Sequence, residues 1–278
     1  MRLDAAIADA AGRLSHTSDS ARLDAEILLC QTIDMPRSYL FAHPEDELDS
    51  LTLDRFEALM QRRLDGEPMS YITGTREFWS HELLVSRATL VPRPETELLV
   101  ELALRAIPRS AEWQILDLGT GSGAIAIAIA AERLMCTVTA TDISADALAV
   151  ARENARNADL SNLICIAGSW TTPVAGLAFD VIVSNPPYVR DDDEALRNLR
   201  YEPLSALASG KDGLNDIRIL ASDSTEILAE GGWLMLEHGA DQARDVADIL
   251  SAAGWSEITC HNDLAGKPRV TVARRNGK

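Results

Sequence analysis

The sequence predicts an α/β fold: an open, mostly parallel sheet of seven strands whose last two are antiparallel, preceded by a small helical domain and a β-hairpin connector. Three observations carry this. Strand-like and helix-like runs alternate after Pro108, the pattern that covers both faces of a parallel sheet with helices. The closing runs "SEITCH" and "PRVTVAR" lie too close together for a crossover helix, so they must pair antiparallel. Roughly the first seventy residues show helical periodicity alone.

Taken in order, Leu3, Ile7 and Leu14 fall on one helical face. Ser20 can cap a second helix whose Leu23, Ile27 and Leu28 face a core, and Met35-Pro36 ends it. "RSYLFA" adds a short helical turn. "LTLDRFEALMQRRL" then sets Leu53, Phe56, Leu59, Met60 and Leu64 at three- and four-residue steps, closed by Gly66 and Pro68. From Gly74, "EFWSHELLVS" is rich in strand formers and reads as a hairpin-like connector. Pro92 and Pro94 stiffen the chain after it, and Thr96 can cap a helix reaching about Ile107. The strands that follow are "QILDL", "TVTAT", "LICIA", "FDVIVS" and "GWLMLEH", then the closing pair. Helices are expected over "SGAIAIAIAAERL", "SADALAVARENARNA" and about 215–229 and 241–253. The expected boundaries are a helical domain over 1–73, a connector over 74–96 and an α/β domain over 97–278.

A chain of 278 residues that is 46% hydrophobic has ample material for a core. Its formal charge of -17 repels polyanions over most of the surface, which disfavours stable nucleic-acid binding. Cys30, Cys136, Cys165 and Cys260 are scattered and the five histidines are dispersed, so no metal site is expected. The first residues carry Asp4 and Asp9 and make a poor signal peptide. The longest apolar run, 124–131, is too short to span a bilayer. A soluble, cytoplasmic protein is the expectation.

"DLGTGSGAIAI" sits where the first strand of the sheet turns into a helix. Gly119, Gly121 and Gly123 let the backbone bend and approach a ligand closely. The next strand ends in Asp142, a carboxylate placed for ribose hydroxyls. Both a dinucleotide and S-adenosylmethionine fit such a crevice. The G-x-G-x-G spacing, with Asp117 before it, suits a cationic amino acid group better than a pyrophosphate. Trp170, at the end of the third strand, offers a ring for adenine.

"SNPPY" ends the fourth strand on the same edge of the sheet. The side-chain carbonyl of Asn185 and the backbone carbonyl of Pro186 are two acceptors in a rigid turn, suited to the two hydrogens of a planar NH2 group. Pro186 and Pro187 fix that turn, and Tyr188 offers a ring to a flat conjugated group. Such nitrogens are poor nucleophiles because the lone pair is delocalised. Acceptors on both hydrogens favour the positive charge that builds on nitrogen during methyl transfer.

With these motifs the chain resembles the release factor glutamine methyltransferases, the PrmC/HemK family. The resemblance runs through "EPMSYITGTREFWSHELLVSRATLVPRPETELLVE", "DLGTGSGAIAIAIA", "SNPPYV", "YEPLSALASGKDGLNDI" and "DLAGKPRV". It implies a seven-stranded Rossmann-like methyltransferase sheet and S-adenosylmethionine as methyl donor. The implied reaction methylates the side-chain amide of the glutamine in the Gly-Gly-Gln tip of class 1 peptide chain release factors. By the same resemblance Asp117, Gly119, Thr120, Gly121, Ser122, Gly123, Asp142, Trp170 and Asn185 contact the donor. Asn185, Pro186, Pro187 and Tyr188 receive the glutamine, and the helical domain helps dock the protein substrate. Ser169 stands where many members carry an acid. Arg93 and Glu95 line a substrate entrance or form a salt-bridged linker, and Glu202 orders a loop over the site. The acidic run 191–194 reads as a solvated loop. An adenine amino-group methyltransferase acting on DNA or RNA is the alternative, since the same acceptors suit an exocyclic amine.

Overall fold

The computed structural model describes residues 1–276. It has two compact units, Met1–Thr75 and the chain from Arg76 onward. The first contains α1 (Leu3–Leu14), α2 (Ala21–Ile33), α3 (Arg37–Ala42), α4 (Ser50–Leu64) and α5 (Met69–Thr73). Leu3, Ile7 and Leu14 of α1 pack with Leu28, Leu29, Phe56 and Met60 in one core. Burying Phe56 and Met60 stabilises the unit by roughly 1.5–3 kcal/mol each. Helix α2 is rotated from its expected face. Leu23 is exposed, while Asp24 and Glu26 are buried. Arginines explain this: Arg63 holds Asp24 at 2.8 Å, and Arg37 and Arg22 hold Glu26 at 2.6 and 3.0 Å. Ser20 precedes α2 without capping its backbone, because its hydroxyl donates to Asp24 instead.

A hairpin of β1 (Thr75–Phe78) and β2 (His81–Leu84) follows, all but its first residue within the second unit. Trp79 and Ser80 form its turn with φ of 49° and 60°. That left-handed pair matches the twist of a two-residue hairpin, and the Trp79 N–H donates to Glu97 at 3.1 Å.

The main sheet holds β3 (Gln114–Leu118), β4 (Thr137–Asp142), β5 (Leu163–Ala167), β6 (Phe179–Ser184), β7 (Leu228–Glu237), β8 (Ser256–Asn262) and β9 (Pro268–Arg274). Their order is β5-β4-β3-β6-β7-β9-β8. The first five in that order are parallel, and β9 runs antiparallel between β7 and β8. The expected closing pair is therefore present at one edge. Around the sheet lie α6 (Glu97–Ala106), α7 (Ala124–Glu132), α8 (Ala145–Asn157), the short α9 (Ala195–Asn198), α10 (Asn215–Ile227) and α11 (Ala243–Ala252). Strand alternation sends neighbours to opposite cores. Ile115 joins Leu99 and Ile127 on one face, while Leu116 joins Ile217 and Leu250 on the other. Helix α10 stops at Ile227, short of the expected 229, because Leu228 pairs with Phe179 before a register shift in β7.

Among the described residues no helix is long and apolar enough to cross a membrane. Strand order reverses between β4 and β6, on either side of β3. Such a reversal opens a crevice at the carboxyl ends of the strands.

Candidate functional site

In that crevice, Gly119, Gly121 and Gly123 take φ of 74°, 57° and 87°, the left-handed region that favours glycine. They serve different ends. A Cβ on Gly119 would stand 3.0 Å from the Trp170 ring, so glycine lets that ring close over the loop. A Cβ on Gly123 would press on Ile127 and Ala151 at 3.1 and 3.3 Å, so this glycine permits packing of α7 on α8. The amides of Gly119 and Thr120 donate to the Thr141 carbonyl at 2.9 Å each, and that of Gly123 donates to Thr120.

Asp142, at the end of β4, adjoins the loop. Its two oxygens accept from the N–H groups of Gly121 and Ser144, each at 2.8 Å. Ser144 in turn caps α8 by accepting from Ala147 N–H. Each Asp142 oxygen keeps a further lone pair for a ligand. A cavity of about 470 Å³ lies against these groups, walled also by Thr120, Ser122, Ser169, Trp170 and Ile143 and, from the connector, Leu90, Pro92 and Thr96. Ile143 is 73% exposed there.

The two ligands that the glycine motif left open are now distinguishable. Among the described residues lining this cavity there is no lysine or arginine. The amides of Gly119, Thr120, Gly121 and Gly123 already donate within the protein and are not free for a pyrophosphate. A carboxylate for ribose hydroxyls, an aromatic ring and an exposed isoleucine for a base fit S-adenosylmethionine.

Asp117 and Gly123 do not line the cavity. Asp117 is fully buried, and its Oδ2 accepts from the Thr120 hydroxyl at 2.6 Å while Oδ1 has no partner. It shapes the loop from behind rather than facing the ligand. Burial is the main cause that raises its pKa from 3.8 to about 7. Its folded pKa lies above its unfolded one, so its contribution to stability is full below about pH 4 and lost as pH rises through about 7. The unfolding free energy of the wild type relative to Asp117→Asn is expected to fall by about 1.4 kcal/mol per pH unit across that window. Urea unfolding at several pH values measures it, and a flat difference contradicts the buried-carboxyl reading.

Asn185, Pro186, Pro187 and Tyr188 follow β6. Asn185 lines the large cavity and also a smaller one of about 140 Å³, walled by Pro186, Tyr188, Arg93 and Leu199. Pro187 lines the larger. The sequence-predicted donor and substrate residues thus meet at Asn185. Its Nδ2 donates to Thr96 Oγ1 at 3.2 Å, which leaves Oδ1 as the acceptor. Thr96 was expected to cap α6, yet its hydroxyl makes no cap bond and serves Asn185 instead.

The segment beyond is clamped. The Tyr188 carbonyl accepts from Gln242 Nε2 at 3.0 Å, and the Val189 N–H donates to the Leu207 carbonyl at 2.8 Å. A Cβ on Gly213 would stand 2.3 Å from the Tyr188 oxygen. Burial raises the Tyr188 pKa and keeps it a neutral phenol.

Arg93 lines the small cavity and is paired with Glu202 at 2.5 Å, the ion pair of the linker reading. Glu202 further accepts from the Val91 N–H at 3.1 Å, tying the "YEPLSAL" segment to the connector. In the acidic run, Asp191, Asp192 and Glu194 are exposed, and Arg190 pairs with Asp192 and Asp193.

Sequence reasoning missed Thr96 as a site residue, and also Ile143 and Gln242. Ile143 carries a readable signal, an apolar residue directly after a strand-end acid.

Comparison with known proteins agrees with this geometry. A family described as "PrmC N-terminal domain" matches residues 5–74, and one described as "Methyltransferase small domain" matches residues 94–210. The chain is 44% identical to a release factor glutamine methyltransferase of Coxiella burnetii, over 95% of each chain. It is 47% identical to one from Yersinia pestis, over 95% of this chain and 96% of the relative. In fold it is similar to a methyltransferase structure from Pyrococcus furiosus, with a TM-score of 0.56, 20% identity, and coverage of 80% of this chain and 100% of the other.

Proposed function

The chain belongs to the release factor glutamine methyltransferases, and from that premise we propose how its own residues carry out the reaction. It is an S-adenosylmethionine-dependent protein-(glutamine-N5) methyltransferase acting on peptide chain release factors. The target assigned here is the glutamine of the Gly-Gly-Gln tip in class 1 factors. The observation that carries this reading is that Asn185 alone of the four motif residues lines both cavities.

When bound in the large cavity, the donor supplies an electrophilic methyl group on a sulfonium. Asp142 accepts from its ribose hydroxyls, and Trp170 and Ile143 flank its base. Gly119, Thr120, Gly121 and Ser122 form the loop against it, while Asp117 and Gly123 act through the shape of that loop. From the small cavity, Asn185 Oδ1 and the Pro186 carbonyl accept the two amide hydrogens of the glutamine. These acceptors draw positive charge toward nitrogen as the new bond forms, and they orient the lone pair. Tyr188 packs its ring on the planar amide, and Pro186 and Pro187 fix the turn that carries the acceptors. No strong base is needed before transfer, because the N-methylated cation is very acidic and loses its proton afterwards.

The helical unit is assigned to docking of the protein substrate. The acidic charge of the chain supports a protein target over a nucleic acid. Cytoplasmic residence fits a substrate that works in translation.

The test is incubation with labelled donor and either purified release factor or a variant factor whose tip glutamine is replaced. Label is expected on the first alone. Label on the variant, or on an oligonucleotide offered in its place, overturns the assignment.

A further inference from the structure

Three of the described residues line both cavities: Asn185, Leu90 and Ala206. They come from three separate segments. Asn185 follows β6, Leu90 belongs to the connector, and Ala206 ends a short helical turn, Leu204–Ala206. A methyl group that leaves a donor in the larger cavity for a nitrogen in the smaller one passes where the two share walls. Asn185 supplies an amide there. Leu90 and Ala206 supply hydrocarbon alone, and Ala206 only one carbon of it beyond the backbone.

The three segments are braced against one another. Buried Glu202 accepts from the Val91 N–H at 3.1 Å and pairs with Arg93 at 2.5 Å. This sets the residue beside Leu90 against the segment that carries Ala206. The Ala206 N–H donates to the Pro203 carbonyl at 2.9 Å and closes the turn. The Leu207 carbonyl accepts from the Val189 N–H at 2.8 Å, and the Ser209 N–H donates to the Val189 carbonyl at 2.9 Å. The turn is thereby tied to the chain just past Tyr188. Thr96 accepts from Asn185 Nδ2 at 3.2 Å on the third side. An opening braced in this way has a set width, and a packed wall yields little to an added methylene.

We propose that Leu90 and Ala206 form with Asn185 a collar around the line of methyl transfer, and that the small side chain of Ala206 sets the size of the alkyl group that passes. This rests on the reading of Asn185 as the amide grip. In the transfer, the nitrogen lone pair forms a bond to the methyl carbon as the carbon–sulfur bond breaks. The electron pair of the broken bond stays on sulfur as a neutral thioether, and the nitrogen then releases a proton to water. Sulfur, carbon and nitrogen must stand in line. A side chain that intrudes on the collar therefore hinders transfer even with donor and factor both bound. The hydrocarbon of Leu90 and Ala206 also offers no atom that competes with Asn185 for the amide hydrogens.

The experiment compares Ala206→Gly, Ala206→Val and Asn185→Ala with the wild type, using purified release factor and two donors, S-adenosylmethionine and its S-ethyl analogue. It measures kcat with each donor, Kd for S-adenosylhomocysteine and the melting temperature. Ala206→Val is expected to lower kcat with the methyl donor by about ten- to a hundredfold, the scale of a misfitted methylene. Kd for S-adenosylhomocysteine, which carries no transferable group, should stay within about threefold. Ala206→Gly is expected to raise the ratio of ethyl to methyl kcat by about tenfold. That ratio is taken within one variant, so a general loss of packing leaves it unchanged, and it keeps the test sound if the valine variant folds poorly. No rise in the ratio for Ala206→Gly overturns the collar, whatever the valine variant does. A loss in Ala206→Val matched by an equal weakening of S-adenosylhomocysteine also overturns it and assigns Ala206 to the donor wall. In both cases a nearly inactive Asn185→Ala leaves the grip standing. If Asn185→Ala itself keeps wild-type turnover, the grip falls and the collar falls with it.

Discussion

Asn185→Ala is expected to lower the rate of methyl transfer by about two to three orders of magnitude, the scale of losing a preorganised hydrogen-bonding group at a developing charge. Donor affinity should change by less than about threefold. The reason lies in where the side chain stands. It lines both cavities, but among the described residues its side chain bonds only through Nδ2 to Thr96, so Oδ1 is the free acceptor. The donor meets a much larger wall built from the glycine loop, Asp142 and Trp170, which alanine at 185 leaves in place. The glutamine amide instead loses one of two acceptors. With one hydrogen unpaired in a water-poor pocket, the nitrogen keeps its conjugation and its planar geometry. The fold should tolerate the change, since the turn is held elsewhere by Gln242, Leu207 and two prolines. Donor titration beside single-turnover methylation separates the two effects. Equal losses in both would move Asn185 from the substrate side to the donor side.

The parts of this arrangement that were legible in the sequence are those written in local chemistry. The parallel sheet followed from alternating strand and helix runs, and the closing antiparallel pair from the short stretch between 261 and 268. The glycine loop, the strand-end acid Asp142 and "SNPPY" each announced a ligand contact through residue type and position. What stayed hidden depends on contacts distant in sequence. Thr96 reads as a helix cap because threonine before a helix usually is one. Nothing local says that its hydroxyl meets Asn185, 89 residues away. Leu23 reads as core because the buried acids beside it are affordable only with Arg63 and Arg37 in place. The hairpin at Trp79-Ser80 lacks the asparagine-glycine signal of its turn type, and is held in part by Glu97. Asp117 reads as a ligand contact because it precedes the glycines, yet β3 and its flanking strands bury it completely. In each case tertiary partners override the local preference, and a single sequence does not name them.

Asp142→Ala is expected to weaken donor binding by about two orders of magnitude, with kcat at saturating donor much less affected. A charged acceptor for ribose hydroxyls contributes about 1.5–3 kcal/mol per hydrogen bond, so one or two such bonds account for the loss. Asp142 also holds its neighbours. Its oxygens take the N–H groups of Gly121 and Ser144, which join the glycine loop to the start of α8. This double role makes Asp142→Asn an informative comparison. Both carboxylate oxygens already face backbone donors, so an asparagine must turn its NH2 against one of those N–H groups. The usual rescue by a neutral isostere should therefore fail, and Asp142→Asn should bind donor nearly as poorly as Asp142→Ala. Calorimetric titration with S-adenosylhomocysteine, the reaction product, measures this without turnover. If Asp142→Asn binds like the wild type, the carboxylate serves the ligand without organising the loop. If both variants bind normally, the ribose is held by other groups and the cavity wall must be reassigned. Asp142 lines only the large cavity while Asn185 lines both, so their variants should split cleanly, one acting on Kd and the other on kcat.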